Sequence, residues 1–298
     1  MKMSEKKKKA EKKPITKRSG LPLLPLAIQG YEGSFHQVAA RTFFGKGVEI
    51  LPCATFTDLI REASDKKRTA GGVMAIENSI AGSILPNYNL LQKSNLYVAG
   101  EVYLQIDQHL MVNPGVKISD IKEVHSHPMA IQQCLGYLDK NSWKLIETED
   151  TALSAKHVHQ RKSKHVAAIA GKLAAELFGL TIIAPNIHDV KNNYTRFLIL
   201  QQKPTAIEGA NKASINFHTD HAKGRLSEVL TAIAKNDINI SKLQSFPLPG
   251  SQFKYGFHAD LEFDSIDQFN HLMKKLAGMT KYLRVLGVYK KGKFNTKP

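Results

Sequence analysis

Two cysteines in 298 residues, Cys53 and Cys134, are too few and too far apart for a disulfide framework or a thiolate metal site. A reducing, cytoplasmic setting is the expectation. No hydrophobic run approaches the roughly 18 residues of a membrane span, so no membrane partner is expected. The N-terminal lysines are not followed by the apolar core of a signal peptide, because Pro14, Pro22 and Pro25 interrupt the region. Poor in arginine and carrying Glu5 and Glu11, that region fits a mitochondrial presequence badly. Phosphate loops are missing as well. No glycine turn ends in Gly-Lys-Ser/Thr, and the three-glycine dinucleotide spacing does not occur. His125 and His127 flank Ser126, yet no carboxylate or further histidine stands at a useful helical spacing, so no metal is expected.

What the chain has in excess is positive charge, +16 in all. Residues 1–18 hold nine basic and two acidic side chains without apolar periodicity. Residues 1–25 therefore read as a disordered basic tail. A basic arm can serve nucleic acid, but aromatic residues do not interleave with the basic ones, so no nucleic-acid partner is expected. The remaining charge suits an enzyme with an anionic substrate.

From 26 to 201, short apolar runs alternate with amphipathic helices, the pattern of an α/β fold. "LAIQG" reads as a strand and "SFHQVAARTFF" as a helix with Phe35, Val38, Ala39 and Phe43 on its buried stripe. "AIQQCLGYL" reads as one helix. Residues 202–212 read as a linker. From 213 to 290 the order is βαββαβ, that of a ferredoxin-like sandwich. A unit this small with one helical face wants a partner surface, so a homodimer or homotetramer is expected.

Polar clusters gather where strands end, the usual ligand-binding position in open α/β sheets. In "GYEGSF" a turn leads into a helix with Ser34 as N-cap and Gln37 as its capping-box partner. This is either a plain cap or an anion site at a helix start. "AIENSIAGS" offers Glu77, Asn78, Ser79, Gly82 and Ser83 at a strand end. "VHSHPMAIQQC" offers Ser126 and Gln133. In "NNYTRF", period-two alternation puts Asn193, Thr195 and Phe197 on one side of a strand and Arg196 on the other. Arg196 reaches the same pocket only if the strand end twists.

Taken in order, "GYEGSF", "ENSIAGS", "VHSHPMAIQQC", "ETEDTALSAK" and "NNYTRF" resemble the prephenate dehydratase family, and 213–290 resembles its ACT regulatory domain. The resemblance implies a two-lobed, periplasmic-binding-protein-like catalytic domain over 26–201 and a C-terminal ferredoxin-like ACT domain. One lobe would span about 26–101 and 185–201, the other about 102–184. It also implies conversion of prephenate to phenylpyruvate, carbon dioxide and water, with no cofactor. Thr195 would be the proton donor, helped by Asn78 and Gln133. Ser34, Phe35, Glu77, Ser79, Gly82, Ser83, Ser126, Asn193, Arg196 and Phe197 would surround the substrate. Phenylalanine would act as effector at "GRLS" (Gly224, Arg225, Leu226, Ser227) and "QSF" (Gln244, Ser245, Phe246). In those segments Arg225, Gln244 and Phe246 depart from the family's residues. No long helical pattern precedes residue 26, so no fused chorismate mutase segment is expected. Arogenate dehydration, or amino-acid sensing without turnover, remain the alternatives.

Overall fold

A computed structural model describes residues 23–205, 207–220, 222–248, 250 and 254–295. The expected basic tail lies outside them as far as residue 22.

In chain order the first segment holds β1 (Leu26–Gln29), α1 (Phe35–Phe44), β2 (Ile50–Cys53), α2 (Phe56–Ser64), β3 (Gly72–Asn78), β4 (Gly82–Ser83), α3 (Leu85–Lys93) and β5 (Tyr97–Gln105). The second holds β6 (His109–Val112), β7 (Glu123–Ser126), α4 (Pro128–Gln132), α5 (Leu135–Leu138), β8 (Lys144–Glu147), α6 (Thr151–Arg161), β9 (Val166–Ala170), α7 (Lys172–Phe178) and β10 (Thr181–Ala184). Then β11 (Tyr194–Gln201) returns to the first segment's strands. Last come β12 (Lys212–His218), α8 (Arg225–Ala234), β13 (Asn239–Pro247), β14 (Tyr255–Glu262), α9 (Ile266–Ala277), β15 (Tyr282–Tyr289) and β16 (Phe294–Asn295).

Three sheets result. The first runs β16-β5-β11-β3-β1-β2, with β4 added to β3. The second runs β10-β6-β9-β7-β8, and the third β13-β14-β12-β15. Apolar side chains fill both faces of the first sheet, with Ile28, Val73 and Phe197 on one and Met74, Leu198 and Leu200 on the other. Burial on both faces is what continuous runs such as "LAIQ" and "GVMAI" favour.

The chain crosses from the first sheet to the second at residues 106–108, later than the expected 102, because β5 stays paired with β11 as far as Gln105. The two crossings touch each other. Ile106 N–H donates to Asn193 O at 2.8 Å, and Ile187 N–H to Gln108 O at 2.9 Å.

Three local expectations need correction. The buried face of α1 carries His36, Gln37, Ala39 and Ala40, while Phe43 is exposed, so the helix sits about one residue out of the expected phase. The helix expected over "AIQQCLGYL" is split into α4 and α5, since the Gln133 carbonyl accepts from Asp189 N–H at 2.7 Å. The stretch 202–212 is not a loose linker. Gln202 donates to Ala63 O and Thr69 O, and Lys212 is a buried residue of β12.

The third sheet has one apolar face, built on Ala213, Ile215, Ala259 and Leu261, which packs on α8 and α9. Its other face carries Lys212, Ser214, Asn216, His258 and Asp260, all buried. That polar face lies against the back of the first sheet. Gly287 makes the contact possible: a Cβ there would stand 1.9 Å from Val98 O on β5.

Candidate active site

Between the first two sheets lies a cleft of about 530 Å³. Thr195 opposes Asn78 in the β11–β3 ladder, and Arg196 opposes Glu77. Alternation therefore sends one pair forward and the other backward. Thr195 and Asn78 line the cleft, with Phe197 beyond them.

The forward pair belongs to a chain of amides. Asn78 Nδ2 donates to Thr195 Oγ1 at 3.0 Å, to Asn193 Oδ1 at 2.7 Å and to Tyr194 O at 3.2 Å. Asn193 Nδ2 donates in turn to Gln133 Oε1 at 3.2 Å. Because the threonine oxygen accepts from Asn78, its own proton is available to a group in the cleft. Asn78 Oδ1 is fixed from behind by Ile80 N–H at 3.0 Å and Ala81 N–H at 2.9 Å. Thr195, Asn78, Gln133 and Asn193, drawn from three separate stretches of sequence, thus form one network. Asn193 itself is fully buried behind the cleft.

Other expected residues divide. Phe35, Gly82 and Ser83 line the cleft. Ser34 caps α1 through its hydroxyl, which accepts from Gln37 N–H, and is buried. Gln37 reaches Gly33 N–H at 2.7 Å instead of the cap residue's own N–H. Ser79 accepts from Tyr194 N–H at 2.9 Å and so stitches the β3–β4 turn to β11. Ser126 is spent inside the second sheet, donating to Ile169 O at 2.7 Å.

Two expected substrate contacts are overturned. Arg196 is buried on the far side of the first sheet, with Nε donating to Glu101 at 2.7 Å and Nη1 to Asp260. Strand alternation holds up to the bulge after Arg196, so no twist brings the guanidinium forward. Burial opposes that charge, but Asp260, Tyr289 and Glu101 hold the Arg196 pKa well above its ordinary value. Burial likewise opposes ionisation of Asp260, yet Arg196 and His258 hold its carboxyl well below the usual range. Glu77 also faces backward and pairs with Lys242 of β13.

Among the cleft residues not foreseen are His36, Gln108, His127 and Asp150. His36 is buried, and its Nε2 accepts from Ala75 N–H at 3.2 Å; its ring meets Phe197 edge-on at 5.0 Å. Burial pushes its pKa down to about 3, so the ring is neutral. Gln108 sits at the crossing between sheets with its buried Oε1 unpartnered. His127 caps α4 at Met129 N–H. Asp150 caps α6 at Leu153 N–H, 2.8 Å away, and burial raises its pKa. The phase of α1, once known, is the signal that would have found His36.

The opening turn "GYEGSF" is built to meet the second sheet's helices. Gly30 and Gly33 have φ of +89° and +87°, in the region that favours glycine. A Cβ on Gly30 would stand 2.7 Å from Asp150 Oδ2, and one on Gly33 would stand 2.9 Å from Ala174 Cα. Tyr31 Oη donates to Glu149 at 3.3 Å across the same gap. Cys53 and Cys134 are buried, free thiols pushed up by burial to about 11 and about 12.

In the C-terminal unit, Leu226 and Ser245 line a cavity of about 380 Å³ with Thr219, Tyr255 and Phe257. The other expected effector residues do not converge there. Gly224 is the N-cap of α8, Arg225 pairs with Glu228, and Ser227 is exposed. Gln244 donates to Ser245 O, and Phe246 is buried against Gly256.

Comparison with known proteins gives a consistent result. The sequence profile of prephenate dehydratase matches residues 26–205. Arogenate dehydratase 2 of Petunia hybrida is 36% identical over 284 residues, covering 89% of this chain and 71% of that protein. The bifunctional chorismate mutase/prephenate dehydratase of Aquifex aeolicus (strain VF5) is 32% identical, covering 90% of this chain and 74% of that one. The crystal structure of prephenate dehydratase from Arthrobacter aurescens in complex with L-Phe superposes with a TM-score of 0.79 at 24% identity. The overlay covers 92% of each chain and speaks to the fold.

Proposed function

Because the chain belongs to the prephenate dehydratase family, we propose that the cleft converts prephenate to phenylpyruvate, carbon dioxide and water. The carrying observation is the Thr195 hydroxyl, free to donate because Asn78 occupies its oxygen as a donor. Loss of the ring carboxylate as carbon dioxide supplies the electron pair that aromatises the ring. The carbon–oxygen bond to the ring hydroxyl breaks, and a proton or strong hydrogen bond lets that group leave as water. A positioned donor contributes about 10²–10⁴-fold to such a step. Asn78, Asn193 and Gln133 hold the donor in place, so little rearrangement is needed in the transition state. The starts of α1 at Phe35 and α6 at Thr151 open to the cleft, and helix starts favour carboxylates.

A second reading has its own support. The carboxylates among the described cleft residues are Glu149 and Asp150, and Arg196 is turned away. An ammonium group suits that lining better than a keto oxygen does. The aminated substrate, arogenate, is therefore the competing assignment, and a plant relative bears that activity in its name. Parallel rates on prephenate and arogenate decide between them; turnover of neither rejects both.

The architecture supports a periplasmic-binding-protein-like pair of lobes with a C-terminal ACT domain. That unit would bind phenylalanine near Leu226 and Ser245 and pair with a second copy, giving a dimer or tetramer. A phenylalanine titration that leaves activity and heat signal unchanged would reject the effector. Among the described residues no helix is long and apolar enough to cross a membrane.

A further inference from the structure

We infer that Lys242, on β13 of the C-terminal unit, is a positioning residue for the cleft, acting through the β3–β4 hairpin. The inference rests on the dehydratase reading of that cleft.

The hairpin is weak by itself. β4 has two residues, and its pairing with β3 consists of Glu77 opposite Ser83 and Asn78 opposite Gly82. An isolated two-stranded ribbon this short is not stable in water. Three of the four residues, Asn78, Gly82 and Ser83, line the cleft. The cross-strand pair of Glu77 and Ser83 is gripped by the C-terminal unit. Lys242 Nζ donates to the Glu77 carboxylate and, at 2.7 Å, to Ser83 Oγ. One ammonium therefore holds both strands one step from the pair that contains Asn78. An ammonium, with three donors and no fixed plane, suits this bridging of two acceptors at once.

The consequence for the reacting centre follows from the Asn78 contacts. Its amide points at Thr195 only while its oxygen is held by Ile80 N–H and Ala81 N–H in the hairpin tip. If the strands part at Glu77 and Ser83, the tip loosens and the amide loses its aim. Lys242 touches none of the Thr195–Asn78–Asn193–Gln133 network directly, so its effect is on geometry. Lys242 and Glu77 are also partly exposed, with side chains 17% and 30% accessible. A pair in that setting contributes little to global stability, which separates positioning from folding.

The test compares wild type with Lys242→Met and with the charge-swapped double variant Glu77→Lys/Lys242→Glu. Turnover and KM are measured on prephenate and arogenate, together with Tm and hydrogen exchange at the Ile80 and Ala81 amides. Lys242→Met is expected to lose about 10-fold in kcat, with KM within about 3-fold. Its Tm should stay within about 3 °C of wild type, and both amides should exchange faster. The double variant should regain most of the lost kcat and protection. Unchanged exchange at Ile80 and Ala81, or unchanged kcat in Lys242→Met, overturns the inference. If wild type turns over neither substrate, the reaction assigned above falls, and the exchange rates alone uphold or overturn the bracing role.

Discussion

Asn78 and Thr195 face each other across adjacent antiparallel strands, with the amide nitrogen of one 3.0 Å from the hydroxyl oxygen of the other. On the proposed mechanism the hydroxyl proton is the functional half of that pair. Thr195→Ala should lose at least about 100-fold in kcat with little change in KM, since the donor acts in the transition state. Thr195→Ser, which keeps the hydroxyl, should retain more activity than Thr195→Ala. Steady-state rates on the preferred substrate check both.

Changing Asn78 to Asp keeps the shape and removes the donor. The carboxylate would face the Thr195 and Asn193 oxygens with no hydrogen to offer either. The threonine proton would then turn inward to the carboxylate, away from the cleft. A fall of about 10²-fold in kcat at neutral pH is expected, with partial recovery in acid as the new carboxyl protonates. A pH–rate profile against wild type tests this.

Arg196 invites a different experiment, because it serves the back of the sheet. Arg196→Met strands the buried carboxylates of Glu101 and Asp260, although Lys212 still reaches Glu101 at 3.0 Å. Breaking a buried pair on one side costs about 3–5 kcal/mol, so a large drop in the unfolding midpoint is expected. Arg196→Lys should also destabilise, because one ammonium cannot reproduce the fork that meets both partners. Urea denaturation measures each.

His36 predicts an acid limb in stability. Its folded pKa of about 3 lies below the ordinary 6.5. Between those values the unfolded chain binds the extra proton, so stability falls as pH drops from about 6.5 toward about 3 and is untouched above. The slope from this group is about 1.4 kcal/mol per pH unit. His36→Gln should flatten the pH dependence of denaturation by that amount.

Gly287 gives the sharpest steric test of the contact between the third sheet and the first. Gly287→Ala pushes a methyl carbon into Val98 O and should cost about 1–3 kcal/mol. Faster proteolysis across the junction, with the helical content kept, is the expected signature.

Much of this was legible beforehand. The alternation in "NNYTRF" separated Thr195 and Phe197, which line the cleft, from Arg196, and "AIENSIAGS" and "VHSHPMAIQQC" offered Asn78 and Gln133, which line it too. Other features were hidden for physical reasons. "KASINFH" and "GFHADLE" alternate as strands with one wet face do, yet Lys212, Ser214, His258 and Asp260 are buried. Alternation records that a face is polar, not whether water or another polar surface covers it. It was the resemblance, not the alternation, that put Glu77 and Arg196 beside the substrate; their partners are Lys242 and Asp260. A phase error of one residue on α1 was enough to hide His36.

After its last helix the chain does not stop at the unit it has just completed. Phe294 and Asn295 run back to pair in parallel with Tyr103 and Leu104, and the Phe294 ring lies 4.5 Å from that of Tyr103. The whole span from Lys212 to Tyr289 is thus sewn in at both ends, as an insertion into the sheet that bears Thr195. Cutting after Gln201 would not release a self-sufficient catalytic half. It would uncover the outer edge of β5 and leave Arg196 without Asp260.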